Sequence, residues 1–477
     1  MTSCISARPG ISRLRVVVAS LAIAAAGTLT LAGCTSTTEA LQVTDPDIIN
    51  PSDVQSAAGA NAVRVGAIAR LNSATSGVNA NSNSEGLFLL SGLFADEYIN
   101  GDSFIARQEV DSRNITEANT FLTDVNRMLQ RARLSGEQAV LLLKQYSPAT
   151  PAADVAEMYF VQAYVENAVG EHYCNGLVFS DVVNGAEVYG MPMTTTAAFT
   201  IALAHADSGL ALITGTSTAD VRVRNALTVT KGRILTNLNR QAEAAVAVAN
   251  VPTSFKYVNL QSQTTNDNAM WTYNNIARRY SVSSVEGTNG LNYVAAADPR
   301  VRTCAGGDVV CRANGVTLAT RDDGASPVNV QQIWPARDSS VSIVKGVEAR
   351  MIEAEAAYKA SDYSLMVQKL NQARTEGGVA GLPATLSDPA LNVGGTDADR
   401  VSLIFRERAF WFFSTGHRVG DLRRLIRQYS RPAETVFPTG PWHKGNNYGP
   451  NVNFPVPQAE ANNPNVPATQ TCTDRAA

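Results

Sequence analysis

Four histidines, His172, His205, His417 and His443, are scattered along the 477 residues, and none stands in a pattern that would give it chemistry to do. G-x-S-x-G, H-E-x-x-H, G-x-x-x-x-G-K-[ST] and G-x-G-x-x-G are all absent, so the sequence offers no nucleophile elbow, zinc-peptidase helix, phosphate loop or dinucleotide fingerprint. His205 falls on an Ala/Leu-rich helix and reads as a satisfied or surface side chain; His417 reads as structural. Carboxylates are plentiful, but any helical chain supplies pairs of them, so spacing alone defines no glycosidase acid and base. Asp322-Asp323-Gly324 lacks the spaced ligands of an EF-hand loop and reads as a polar turn. What the sequence does offer is aromatics beside amides and acids. A sugar has an apolar C–H face for an aromatic ring and a hydroxyl rim for Asn, Asp or Arg. Tyr98 and Asn100 lie in one such stretch, from Asp96 to Asp102. Trp271 and Tyr273 lie in a second, between Asn268 and Asn274, with Trp334 on a later loop. These five are the expected ligand-binding residues, and core burial of each is the competing reading. A third stretch, Trp442 to Tyr448, contains Trp442, Lys444, Asn446 and Asn447. No catalytic set, metal set or cofactor motif emerges.

The cysteines carry the covalent chemistry. Arg8, Arg13 and Arg15 precede an almost purely apolar run from Val16 to Leu31, and Leu31-Ala32-Gly33-Cys34 follows. A basic head, an apolar stretch and small residues at a cleavage point make an export signal over residues 1–33. The run is short of the roughly 20 apolar residues that span a bilayer. Leu-Ala-Gly-Cys resembles a bacterial lipobox, so Cys34 is expected to be lipidated and to become the mature N-terminus, with residues 34–40 as a tether. Stable anchoring takes more than one acyl chain. Cys174, Cys304, Cys311 and Cys472 remain, and an even set in an exported chain suggests disulfides. Cys304 and Cys311 flank a short Gly-containing loop, which leaves Cys174 with Cys472. Buried free thiols are the alternative; zinc is poorly served without Cys-x-x-Cys.

Loss of residues 1–33 leaves 36 basic and 42 acidic residues, a net charge of −6. That balance argues against nucleic-acid binding, whose footprint is a basic patch.

The elements that position these residues are mainly helical. Val347, Met351, Ala354 and Tyr358 share one helix face, Ser361-Asp362 turns, and a second helix through Met366 and Leu370 ends at Gly377-Gly378. The same plan occurs earlier, with a helix through Ala226 and Leu235, a turn at Asn237 to Asn239, and a small-residue helix from Ala242 to Ala249. Further helices are expected over 51–71, 116–145 and 152–168. Paired helices of this kind suggest a tetratricopeptide-like scaffold, which must stack several units to bury a core. Residues 253–340, dense in Asn, Ser, Thr, Gly and Asp, read as loops with short strands. Thr396 can cap a helix with Val401, Ile404, Phe405, Arg408 and Phe412 on one face, ended by Gly416. Glu407, Arg408, Arg418, Asp421 and Arg424 have the types for a buried ion-pair network.

The block Ile404–Arg424, with Glu407-Arg408, Gly416-His417-Arg418 and Asp421-Leu422-Arg423-Arg424, resembles the "ER…EGxR…DLxR" block of RagB/SusD nutrient-uptake proteins. Asn451–Pro464 is similar to that family's closing "FPIPxxE…NP". Glu353-Ala354-Glu355-Ala356 with Leu370-Asn371 resembles its helix pair, and Asn50-Pro51 before a helix also fits. Trp411 and Thr415 depart from the pattern, standing where Glu is common, and the tail from Pro464 to Cys472 has no family counterpart. The resemblance implies a mostly α, SusD-like single domain over 41–477, with an N-terminal part over 41–345 and the motif region over 346–477. It implies a non-enzymatic lipoprotein of the outer membrane, facing the exterior, that binds an oligosaccharide, polysaccharide or other nutrient and delivers it to a TonB-dependent, SusC-like channel. Two other classes remain open on the sequence: a secreted glycoside hydrolase, and a helical-repeat partner protein with no ligand of its own.

Overall fold

A computed structural model describes residues 54–78, 85–183, 186–386, 395–467 and Cys472. The export signal, Cys34, the 34–40 tether and Asn50-Pro51 lie outside the described residues. Helices dominate: α1 Ala57–Ser76, α2 Gly86–Phe94, α3 Ile105–Asp111, α4 Thr120–Tyr146, α5 Ala152–His172, α6 Thr195–Leu212, α7 Thr218–Asn237 and α8 Gln241–Val248. The short α9 Val309–Ala313 lies within the loop-rich centre, and after it come α10 Gly346–Lys359, α11 Tyr363–Glu376, α12 Asp397–Trp411, α13 Arg418–Tyr429 and α14 Ala433–Val436.

The expected helix pairs are present, and their ends have chemical causes. The α7–α8 turn passes through Asn239 and the α10–α11 turn through Ser361, both at φ 60°, a left-handed conformation that Asn tolerates better than most residues. Asp362 then caps α11, its Oδ1 accepting from Leu365 N at 2.9 Å. The helices stack in sequence, α4 on α5, α5 on α6, α6 on α7, α7 on α8, and α8 on α10, which pairs with α11. Small residues permit this. A Cβ on Gly232 would stand 2.4 Å from Val248 Cγ1, so α7 and α8 could not close at their present distance.

Several boundaries differ from the sequence reading, among them the helix expected over 152–168, which runs on to His172. The first helix spans Ala57–Ser76 and not 51–71, because Ser56 caps it, accepting from Gly59 N at 3.0 Å. Asn119 caps α4 in the same way, so that helix begins at Thr120 and not at 116. The capping box of Thr396 with Asp399 starts α12 as expected. That helix, however, ends at Trp411, and the chain turns through Ser414 (φ 54°) and Gly416 (φ 71°) into α13.

The centre, residues 253–340, is loop-rich with short strands. Four antiparallel pairs are described: β1 Tyr98–Asn100 with β5 Tyr280–Val282, β2 Asp181–Val183 with β3 Ala186–Val188, β4 Lys256–Asn259 with β8 Val341–Lys345, and β6 Thr303–Ala305 with β7 Asn329–Gln331. Two disulfides are present. Cys304–Cys311 closes the loop after β6, and Cys174–Cys472 joins the end of α5 to the tail, 298 residues away in sequence.

The charged block is buried, and its partners are partly distant. Arg408 Nε donates to Asp421 Oδ1 and Oδ2 at 2.9 and 2.8 Å, and Arg424 donates to Asp421 at 2.9 Å and to Glu355. Two members expected to pair within the block look outside it. Arg418 holds both oxygens of Asp96 at 2.7 Å. Glu407 accepts from Arg300 at 2.7 and 3.0 Å and from Arg374 at 2.9 Å. His417 is structural, stacked on Phe412 with Nε2 3.2 Å from Glu348. Its neighbour Glu348 is held down to about 2, because the His417, Arg233 and Arg408 charges outweigh a burial that would raise it.

Candidate functional site

Strand β1 and the turn after it bring four segments of the chain together. Asn100 Oδ1 accepts from Asp102 N at 2.9 Å, and Asp102 Oδ1 accepts from Phe104 N at 3.0 Å, which fixes an Asx-type turn over 100–104. Asp323 N donates to Gly101 O at 2.8 Å, and Asp322 N to Arg278 O at 3.2 Å. The 320–324 turn is itself closed by Asp323 Oδ1, which accepts from Ala325 N and Ser326 N, each at 2.9 Å. The fourth segment, 441–448, lies across the others. Trp442 Nε1 donates to Asp111 Oδ2 at 2.9 Å, and His443 Nε2 stands 2.8 Å from the same oxygen. Lys444 Nζ donates to Asp102 O, and Tyr448 OH to Glu286 Oε2.

The surface so formed is mixed in character. Phe104 is 51% exposed, Trp442 and Lys444 are half-buried, and Asn446 and Asn447 are exposed. Beneath it lies a dense set of ionisable groups. Arg107 pairs with Glu85 and Asp102, all three essentially buried, and Tyr280 OH reaches Glu85. Burial raises the Asp102 and Glu85 carboxyls despite the Arg107 charge. Glu286 is pushed well above the carboxylate range, by burial first and by the Asp111 and Asp96 charges next. Lys444 and Arg321 are both lowered by burial, which their acidic neighbours do not fully offset.

Of the five residues expected to bind ligand, the structure withdraws four from solvent. Tyr98 is buried, its OH donating to Ser414 Oγ at 3.0 Å and its ring packed against Tyr280 and Phe413. Tyr273 is buried against Tyr280. Trp334 is buried, its backbone N donating to Gln331 Oε1 at 2.8 Å. Asn100 is buried too, but it shapes the turn that presents Phe104. Tyr98 and Asn100 are covered because β1 is buried along its length, whereas Tyr273, on a short helical turn, and Trp334, on the loop after β7, are covered by packing of the loop-rich centre. Trp271 alone keeps an open ring edge, half-buried with Nε1 donating to Pro335 O at 3.1 Å. Pro335 borders a cleft of about 580 Å³ that Asp298, Arg302, Asn314 and Gln332 also line. The third stretch is the one that reaches the surface with Asn100's turn. Phe104, Arg278, Arg279 and Arg321 join it and were not singled out in the sequence. Among the described residues only Cys304, Asp308 and Cys311 cluster as metal ligands could, and the two cysteines are bonded to each other.

No protein-family model matches the chain, and no curated protein matches it by sequence. Solved structures do. A SusD-like carbohydrate-binding protein from Bacteroides fragilis superposes with a TM-score of 0.64 at 14% identity, over 87% of this chain and 99% of that one. A SusD homolog from Bacteroides thetaiotaomicron gives 0.59 at 10% identity, over 87% and 97%. A SusD superfamily protein from the same organism gives 0.59 at 13% identity, over 88% and 100%. The fold of this chain is SusD-like, mostly α, with helix pairs in tetratricopeptide fashion. No described helix is long and apolar enough to cross a membrane.

Proposed function

We propose that this chain is a glycan-binding lipoprotein of the RagB/SusD family, held at the outer membrane through Cys34, which captures saccharide on the 441–448 surface and passes it to a TonB-dependent channel. The observation that carries the reading is the convergence of the 100–104, 278–279, 320–324 and 441–448 segments, which present Trp442 and Phe104 beside amides and charged groups. This is the combination a sugar requires. An aromatic face takes the C–H surface, and Asn446, Asn447 and Lys444 offer partners to hydroxyls. Anchoring would raise the local concentration of captured ligand beside the channel. The family resemblance of the 404–424 block and the lipobox support the role; the SusD-like fold is consistent with it. Binding and not hydrolysis is the activity proposed.

Native affinity electrophoresis of the full mature chain against a panel of polysaccharides, with reducing-end analysis of the same mixtures, tests this. Retardation without new reducing ends is expected. Trp442→Ala should weaken retardation about tenfold, in line with the roughly 1.5 kcal/mol an aromatic contact carries beyond area. Retardation by no member of the panel would remove the glycan reading, and steady release of reducing ends would replace it with a hydrolase. Cys34→Ser should move the protein from the membrane to the soluble fraction.

A further inference from the structure

Resting on the glycan-binding reading, we propose that the preferred ligand is an acidic glycan, whose carboxylate is taken by the Arg279 guanidinium at the edge of the Phe104 ring.

Arg279 is held in place by its backbone, not by its head group. Its N donates to Tyr273 O at 3.0 Å, and its carbonyl accepts from Gly101 N at 2.7 Å. The preceding residue, Arg278, has φ +53°, an unusual conformation for a side chain of that size, and it is pinned by a hydrogen bond of 2.5 Å from its Nη1 to Thr320 O. The chain is thereby turned so that Arg279 comes over Phe104, with Cζ 5.3 Å from the ring centre. Among the described residues the Arg279 guanidinium makes no hydrogen bond. Its nearest acids, Asp102 and Asp322, stand 3.9 and 3.8 Å from Nε, beyond donor distance. The contrast with its neighbours is sharp. Arg107, Arg278 and Arg321 all donate to acceptors of the chain. Asp102 is already satisfied by Arg107 and by Phe104 N. Arg279 is only a quarter exposed, so its fork of donors is partly desolvated. A planar carboxylate meets that fork with two parallel hydrogen bonds, which a neutral hydroxyl cannot do. Lys444 lies half-buried on the same surface with Arg321 buried beneath it, and both are cations that burial disfavours. An arriving anion would relieve that cost. Net charge does not produce the preference, since the chain as a whole is mildly acidic; it is local.

The test uses the full mature chain and polysaccharides whose charge can be removed without changing their linkage. Polygalacturonate, alginate and chondroitin are compared with their carboxyl-reduced forms, alongside neutral starch, xylan, galactan and inulin. Binding is expected to be confined to one or more uronate polymers, to fall at least tenfold on carboxyl reduction, and to weaken with rising salt. Arg279→Gln should reduce affinity for the acidic polymer by about ten- to a hundredfold, the range of a charge-assisted pair, with a small change in thermal midpoint, because no hydrogen bond of the fold is lost and only the ion pairs at 3.8 and 3.9 Å and the Phe104 contact go. Arg279→Lys should recover only part of it, since Lys lacks the fork. Binding to neutral glycans, or equal binding to reduced and unreduced polymer, overturns this inference and leaves the glycan reading standing. Binding to no polysaccharide overturns the glycan reading itself, and this inference with it.

Discussion

Arg408→Ala should destabilise the protein without touching the ligand surface. Arg408 is 3% exposed, and its Nε bridges both oxygens of Asp421 at 2.9 and 2.8 Å. Burial alone would raise the Asp421 carboxyl, but the Arg408 and Arg424 charges outweigh it and hold the group well below its ordinary value. Truncating Arg408 leaves a buried carboxylate with one guanidinium, Arg424 at 2.9 Å. Breaking a buried pair costs about 3–5 kcal/mol, and the surviving Arg424 contact puts this case near the lower end, about 3 kcal/mol. For a cooperative unit of about 400 residues at roughly 2.1 cal/mol/K per residue, the unfolding entropy is about 0.8 kcal/mol/K, so the midpoint should fall by about 3–4 °C. Scanning calorimetry at pH 7 measures it. Adding Asp421→Asn to Arg408→Ala removes the stranded charge and should restore part of the loss. A midpoint within 1 °C of wild type would show that the pair contributes nothing net. Lost glycan affinity at an unchanged midpoint would place the block at the ligand surface and refute the assignment made here.

Two further outcomes follow from buried groups. Glu97 is pushed up to about 8 by burial, with the Ser414 N–H acting against it. Its folded value lies above the unfolded one, so its contribution to stability is intact below pH 4.5 and is lost as pH rises toward 8. Glu97→Gln should therefore gain on wild type as pH goes from 5 to 8, and chemical unfolding at both values checks it; an equal difference at both would be contrary. Cys472→Ser opens a loop of 298 residues. Loop-closure entropy for that length is about 6 kcal/mol as an upper figure, so both reduction and the variant should lower the midpoint by several degrees, and by equal amounts if this bond dominates over the seven-residue Cys304–Cys311 loop.

The helix pairs were legible because their signals are local. Val347, Met351 and Ala354 recur at helical spacing and are buried, in a helix that is covered on nearly all sides, and the stop at Gly377 is a C-cap in fact. Glu407 shows where legibility ends. Its residue type predicted a basic partner, but the partners are Arg300, 107 residues away, and Arg374. Sequence proximity favoured Arg408, which faces elsewhere. Tyr98, Tyr273 and Trp334 are buried for reasons the sequence does not display. Tyr98 sits on a three-residue strand, too short for alternation to reveal that it is covered, and the acids and amides near these aromatics are taken by distant partners, as Asp96 is by Arg418 and Asn268 by Ser339. Arg279 had no sequence signal at all. Nothing in Ala277-Arg278-Arg279-Tyr280 distinguishes an arginine whose guanidinium is hydrogen-bonded from one that has only looser ion-pair neighbours. The stretch from Trp442 to Asn447 carried a usable one, a Trp, a Lys and two Asn between prolines, a composition that cannot build a helix or strand interior.

The two disulfides are nested, since Cys174–Cys472 encloses Cys304–Cys311. A chain crossing a membrane from its N-terminus delivers Cys174 first, then Cys304, and Cys472 last of the four. An oxidase that joined thiols in order of arrival would couple Cys174 to Cys304 and leave Cys311 for Cys472. On the export proposed above, the native connectivity requires that the Cys174 thiol be sheltered at the end of α5 until translocation is complete, or that a wrong bond be exchanged afterwards. Dependence of the yield on a thiol–disulfide isomerase would mark the second route, and independence of it the first.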